Sequence, residues 1–389
     1  MPRVHHVQRF IVFGTCSLVS CLALALVAQA RPRARELGVP FSGTVGPLNA
    51  ITDVAGVEVG HVTLIEGTGR LVVGKGPIRT GVTAILPKGK IWEPVFAGWF
   101  AGNGFGEMTG APWVVEGGVL GGPVMMTGTY SVGVVRDAVN SWFHEVLKRE
   151  IPWHQPVVGE TSDAFLNDGL GQHITKAHVF QVLNAAKSGP VQEGNVGGGT
   201  GMVAHGFKGG IGTASRRVAT TYMVGVLVQA NYGSRESLTI AGVPVGREIQ
   251  GAERRRTPGP SEDRDGSILV IVATDAPLLP HQLERIARRV PMGIARLGGT
   301  ASNGSGDIFL AFSTANSGAA AESGVTPLTW LPNGDLTPFF AATVEATEEA
   351  IVNALVAADT MVGVNGNTAS ALPIDQLRAI LKKYNRLVQ

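Results

Sequence analysis

The chain has 389 residues, of which 44% are apolar and 16% charged, with 32 basic against 30 acidic side chains, 53 glycines and two cysteines. So much apolar sequence can bury a large core, and the glycines fall as short turns between β-rich runs without a fixed period, which excludes a collagen-like or linker-like chain. The near-neutral charge balance argues against a nucleic-acid or anionic-membrane partner.

The first thirty residues read as a secretory signal peptide. Arg3 and Arg9 precede or open an apolar run over 10–27, and Ala28-Gln29-Ala30 forms a small-x-small cleavage site, so the mature chain is expected to begin near Arg31 and to be periplasmic, with no membrane contact once processed. A rival reading takes Leu18-Val19-Ser20-Cys21 as a lipoprotein box with Cys21 as the anchor. Both cysteines, Cys16 and Cys21, lie in this segment. A chain cut after Ala30 therefore has no disulfide, thiol nucleophile or thiolate metal site, and serine must carry any covalent chemistry.

Along the mature chain, 132–135, 222–228, 268–272 and 308–312 are rich in Val, Ile and aromatic residues and read as strands covered on both faces. Helical patterns run over 137–150, 175–187, 280–290 and 339–358. In the third, Pro280 suits an early helix position, and Arg285, Arg288 and Arg289 crowd the last turns, as the helix dipole favours. Strands flanked by helices predict a layered αββα arrangement. One stretch, 251–266, loses almost all apolar residues and must be an exposed loop; it passes abruptly at Gly266-Ser267 into a buried strand.

Few motifs carry chemistry. Gly69-Arg-Leu-Val-Val-Gly74-Lys75 imitates a phosphate loop, but Gly76-Pro77 stand where a Ser/Thr and a helix are needed. The run 194–201 fits no dinucleotide fingerprint and is expected to let backbone approach a substrate or another segment. His144-Glu145 lacks the second histidine of a zinc motif, and His173 and His178 are five apart, so no metal and no cofactor is expected. What remains is Ser267, Asn231 at the end of a strand, and Ser305 with Asp307 at the entry to another. Two residues apart in extended chain, Ser305 and Asp307 point to one face, where they can orient and deprotonate a nucleophile or simply form a polar turn. Asn231 can donate to an oxyanion or cap a turn.

Together these segments resemble the family of D-alanyl and β-peptidyl aminopeptidases, self-processing serine peptidases that include L-aminopeptidase D-Ala-esterase/amidase. The likeness is carried by 48–61, 79–82, 225–231, 273–283, Glu193-Gly-Asn-Val-Gly-Gly-Gly-Thr-Gly201 and Gly306-Asp-Ile-Phe-Leu-Ala-Phe-Ser-Thr314, and is strongest to the β-peptidyl members from Arg31 onward. The resemblance implies a four-layer αββα sandwich of the N-terminal-nucleophile type, cut between Gly266 and Ser267 into a large subunit (31–266) and a small one (267–389), and a homotetramer of such pairs. It implies that Ser267 is the nucleophile, Ser305 and Asp307 its supporting hydroxyl and acid, Asn231 the oxyanion donor, and Glu160 the carboxylate that holds the amine of small peptides and amino-acid amides. The β-peptidyl members carry Glu where this chain has Asp307. An aromatic residue of the D-Ala amidase type is Ser162 here, which removes a pocket wall and fits the β-peptide type. On this reading Ser267 Oγ attacks the Gly266 carbonyl, and the freed α-amine, with a reference pKa of about 7.7–8.0, shares the base role in later turnover. Other readings are an L-aminopeptidase or D-alanyl amidase-esterase, an acyltransferase on a similar architecture, which typically cuts before Thr, or a non-enzymatic binding protein.

Overall fold

The computed structural model describes residues 32–149, 155–251, 266–319, 321 and 323–388, so the expected signal peptide and the loop residues 252–265 lie outside the described residues. The fold is mixed α/β with two main sheets. The first has four strands in the order β1 (Glu58–Glu66), β2 (Ile78–Lys90), β5 (Val124–Gly128) and β6 (Val157–Thr161). The second has six, in the order β4 (Val119–Leu120), β3 (Val95–Gly104), β12 (Gly306–Ser313), β11 (Ser267–Thr274), β10 (Tyr222–Asn231) and β9 (Gly210–Val218). Neighbours pair antiparallel except β5 with β6 and β11 with β12.

The near-continuous apolarity of the central strands follows from what they face. In β11, Ile268, Val270 and Val272 belong to one buried cluster and Leu269, Ile271 and Ala273 to another, as the two-residue period of a strand requires when both faces are covered. The first of these clusters also takes in Leu283 and Ile286 of α5 (Pro280–Ala287), Ile294 of α6 (Val290–Arg296), and Ile351 and Leu355 of α7 (Thr337–Ala357). The second draws on both sheets, with Val59, Ile85, Met126 and Val157 meeting Leu227, Leu269, Ile308 and Leu310. A third joins Val82, Met125 and Val158 of the four-stranded sheet to α2 (Val132–Glu145) and α3 (Lys176–Ala185). The short helix α1 (Ala111–Gly117) lies against β3, and α4 (Val245–Glu248) against α8 (Ile374–Lys383).

Two expectations are corrected. The run 132–135 is the first turn of α2 and not a strand. Its four apolar residues fit either period, but the continuation, with Val132, Val135, Ala138, Val139, Trp142 and Phe143 buried, has the helical one. The helix expected over 280–290 is two: α5 stops at Ala287 and α6 restarts at Val290, because Pro291 at its N-terminus offers no N–H for a continuing i→i−4 bond. The run 194–201 does bring chains together. A Cβ on Gly198 would stand 2.0 Å from Gln229 Oε1, so the close approach is to another segment of the protein.

The start of the described chain is fastened by charge. Arg33 binds Glu193 (Nε to Oε2, 2.9 Å), while Arg35 Nε and Arg216 Nη2 share Glu349 at 2.8 and 2.7 Å. Arg216 and Glu349 side chains are each 1% exposed. Removing one partner of so buried a pair strands the other's charge, so Glu349→Ala is expected to cost about 3–5 kcal/mol, read from the denaturant midpoint. A loss under about 1 kcal/mol would mean that Glu345, 3.5 Å from Arg216, suffices as its partner.

Candidate active site

Strand direction collects the polar residues that the sequence singles out. Because β10 runs antiparallel to β11 and β11 parallel to β12, the end of β10 meets the beginnings of the other two; Asn231 pairs with Ser267, and Ile268 with Asp307. Ser267 Oγ accepts a hydrogen bond from the backbone N–H of Gly306 at 3.1 Å. On either side of that donor, Ser305 Oγ donates to Asp307 Oδ1 at 2.5 Å, the same-face pairing expected of residues two apart, and both are nearly inaccessible. An ionised acceptor shortens and strengthens such a bond.

Asn231 is held by its side-chain oxygen, which accepts from Val203 N at 2.8 Å. Its Nδ2 is thereby the end directed at the chain before the nucleophile. A Cβ on Gly266 would lie 2.9 Å from Nδ2 and only 1.7 Å from the backbone oxygen of Asn231, so no larger residue fits at 266 without displacing the strand end.

Glu160, on β6 of the other sheet, is brought to the same place by the turn 105–107. Phe105 N donates to Ser305 O at 3.2 Å, Glu107 N to Glu160 Oε1 at 3.1 Å, and a Cβ on Gly106 would stand 3.0 Å from Gly306 Cα and 3.3 Å from Glu160 Oε1. The second oxygen of Glu160 accepts a short hydrogen bond from Thr129 Oγ1. Burial pushes the Glu160 carboxyl above its ordinary range against these two hydrogen bonds, and the charge of Glu107 pushes the same way. Phe105, 74% exposed, stands at the rim.

Two further groups sit close by. Asp163 is buried, and its carboxyl is pushed up to about 6 by burial, with the charge of Glu160 adding to it and hydrogen bonds to Thr80 and Asn167 opposing it. Among the described residues its Oδ2 has no hydrogen-bond partner, and it is turned toward Gly128, where a Cβ would stand 2.4 Å away. The Tyr232 phenol is raised by burial and by the charge of Asp307, and its ring stands edge-on to His205, centroids 4.7 Å apart.

The structure thus assembles Gly266, Ser267, Asn231, Ser305 and Asp307 at one end of the central strands of one sheet and sets Glu160 across from them on the other. The arrangement offers a hydroxyl nucleophile with an N–H on its oxygen, an amide donor beside the preceding residue, an acid–hydroxyl pair, and a carboxylate set apart for a cation. Among the described residues no group of three or more His, Cys, Asp or Glu side chains could hold a metal ion. His173 is bound to Asp168 at 2.9 Å, and His178 caps α3. In the loop that imitates a phosphate site, the amides of Gly74 and Gly76 donate to Asp168 Oδ2 at 2.8 and 3.1 Å, so the protein's own carboxylate occupies them. Sequence reasoning missed Gly306 N, Val203 N, Glu107 N and Thr129. Three are backbone donors, which every non-proline residue has, and Thr129 sits in a Gly-Thr-Tyr-Ser stretch without any distinguishing pattern.

Comparison with known proteins gives the family. The model of peptidase family S58 matches residues 49–369, and the chain belongs to that family. It is 54% identical to a β-peptidyl aminopeptidase, BapA, of Sphingosinicella microcystinivorans over 95% of this chain and 97% of that protein, and 48% identical to the BapA of Sphingosinicella xenopeptidilytica over 95% and 96%. Among solved structures, L-aminopeptidase D-Ala-esterase/amidase from Ochrobactrum anthropi, described as a serine aminopeptidase and a variant of the Ntn hydrolase fold, superposes with a TM-score of 0.85 at 44% identity, over 92% of this chain and all of that one. A Burkholderia β-aminopeptidase superposes with a TM-score of 0.82 at 47% identity, over 90% and 99%.

The buried acid makes a prediction about pH. With its carboxyl pushed up to about 6, folded Asp163 should keep its proton through the range in which the unfolded chain, at the ordinary aspartate value of 3.8, releases it, so between those values the unfolded state binds fewer protons and stability falls as pH rises. The fall attributable to this group is about 3 kcal/mol. Asp163→Asn should flatten that part of the stability profile, measured as urea midpoints from pH 4 to 7; an unchanged slope would show that Asp163 is already ionised in the folded protein at pH 4.

Proposed function

We propose that this chain is exported, cuts itself between Gly266 and Ser267, and then works as a two-subunit αββα hydrolase of the N-terminal-nucleophile type, with Ser267 removing N-terminal β-amino acids such as β-alanine from small peptides and amides. The observation that carries the reading is the juxtaposition of Gly266 with the Asn231 amide at the point where Ser267 starts β11, with Glu160 across the gap. The three buried clusters described above support the four-layer arrangement, and Ala28-Gln29-Ala30 supports export to the periplasm.

In the first reaction Ser267 Oγ attacks the Gly266 carbonyl, the carbonyl oxygen becomes an oxyanion facing Asn231 Nδ2, and the C–N bond breaks as the Oγ proton passes to the leaving nitrogen, which leaves an ester on Oγ and a free α-amine on Ser267. Water hydrolyses the ester. In the second reaction the same hydroxyl attacks a substrate carbonyl, its proton passing to the base formed by the Ser267 amine with Ser305 and Asp307, and the leaving amine takes it up. The resulting acyl-enzyme is resolved by water, or by an amine in aminolytic transfer. A preorganised amide donor of this sort is typically worth about 2.7–4 kcal/mol of barrier. Glu160 pairs with the substrate ammonium, and its distance from Ser267 measures the amine-to-carbonyl spacing, one backbone carbon longer in a β-amino acid. Hydrolysis of α-L-aminoacyl or D-alanyl amides is the alternative within the same family. The exposed Ser162 leaves the pocket open where an aromatic wall would favour that reading.

N-terminal sequencing of the purified protein is expected to find one chain starting near Arg31 and one at Ser267, and Ser267→Ala is expected to leave a single inactive chain. Continued scission in that variant would remove the hydroxyl from the mechanism. Glu160→Gln keeps the shape and removes the charge, so kcat/KM for a β-alanyl amide should fall at least about tenfold while self-cleavage proceeds normally, since a charged hydrogen bond contributes about 1.5–3 kcal/mol. In the unmodified enzyme activity should rise with pH as the raised Glu160 carboxyl ionises, and this acid limb should vanish in Glu160→Gln. Equal losses in self-cleavage and hydrolysis would instead indicate a distorted site.

A further inference from the structure

The reaction as derived leaves the buried Lys208 without a role. β7 (Val203–Ala204) and β8 (Phe207–Lys208) form a two-residue hairpin through His205 and Gly206, whose φ of 48° and 70° suit a primed turn. Lys208 is 0% exposed. Its Nζ donates to Gly199 O at 3.1 Å and to Gly209 O at 2.8 Å, and burial alone pushes its pKa down to about 7. In either protonation state it has at least two N–H groups for these two carbonyls, which a methionine of similar length lacks.

The two carbonyls mark the ends of one excursion of the chain. Gly199 is pressed on β9, where a Cβ would stand 2.4 Å from Ile211 N, and Gly209 on β10, where one would stand 2.2 Å from Ala230 O. Between them the chain leaves the sheet and returns, closed by Gly209 N donating to Met202 O at 2.9 Å. The next residue, Val203, supplies the N–H that holds Asn231 Oδ1. Lys208 therefore ties together the base of the excursion, and Val203, which pairs with Lys208 at that base, decides which end of the Asn231 amide faces Gly266.

We propose that Lys208 is a positioning residue for the oxyanion donor: by joining Gly199 O to Gly209 O it fixes the Val203 N–H, and through it keeps Asn231 Nδ2 directed at the reacting carbonyl. Without the tie, the amide is released to turn its oxygen toward the developing negative charge, which repels it. The inference rests on the oxyanion role proposed for Asn231, and a double-mutant cycle separates the two.

Lys208→Met should lower kcat at least about tenfold with KM changed less than twofold, and should lengthen the half-time of self-cleavage by a similar factor, because one donor serves both reactions. In an Asn231→Ala background, adding Lys208→Met should lower kcat no further, although it lowers the melting temperature equally in both backgrounds. If Lys208→Met does not fold, Lys208→Gln, which keeps amide donors on a shorter stem, is put through the same cycle with a smaller loss expected. Full kcat in the single lysine variant, or losses that multiply in the double variant, would overturn the inference while leaving Asn231 as the donor. Full turnover in Asn231→Ala alone would overturn the oxyanion role and the inference with it.

Discussion

The pairing of β11 with β10 on one side and β12 on the other is the constraint from which the rest of the site follows. A strand that begins with a nucleophile can reach other functional groups only if its neighbours end or begin at the same level. One antiparallel and one parallel neighbour satisfy this, bringing Asn231, Ser267 and Gly306-Asp307 to one end of these strands. The parallel step demands a crossover, supplied by α5 and α6, whose apolar faces also cover the sheet. Chemistry and packing are thus served by the same piece of chain.

The second sheet contributes a carboxylate at a distance. Glu160 is nearly buried, raised by its surroundings, and kept in place by Thr129 and the Glu107 amide, an arrangement that costs stability until a cation arrives. On the proposed function, an ammonium group entering the gap offsets that cost. On the same proposal, recognition of a free amine comes from the electrostatics of this buried acid, and its separation from Ser267 is set by the turn 105–107 that touches both sheets. Because Glu160 and Ser267 sit on different sheets, their spacing depends on how those sheets pack, through Leu269 and Ile308 against Val157 and Met126.

Much of this was legible in the sequence. The apolar runs of β10, β11 and β12 were clear, and their polar boundary residues, Asn231, Ser267, Ser305 and Asp307, proved to lie together. Residue patterns alone did not single out Glu160, which entered through family resemblance, because an isolated acid near a strand end has many uses. The strand β2 was not recognised from periodicity for a different reason. It buries Arg79, Thr80 and Thr83 among its apolar residues, and Arg79 is tolerated because its guanidinium donates to the carbonyls of Glu66, Gly67, Ile78 and Val362, partners scattered through the chain. At the first turn of α2, four apolar residues carry too little period to choose between helix and strand.

The central position of β11 has a consequence for the molecule once the proposed cut is made. The strand keeps its ladders to β10 and β12, so scission at its first residue needs no rearrangement, and the two polypeptides stay joined through the shared sheet and both of its buried faces. Assembly then differs from dismantling. The uncut chain reaches this pairing by a first-order search within one molecule, whereas two separated polypeptides must find each other by a second-order encounter, so a processed enzyme once unfolded recovers at a rate that depends on its concentration.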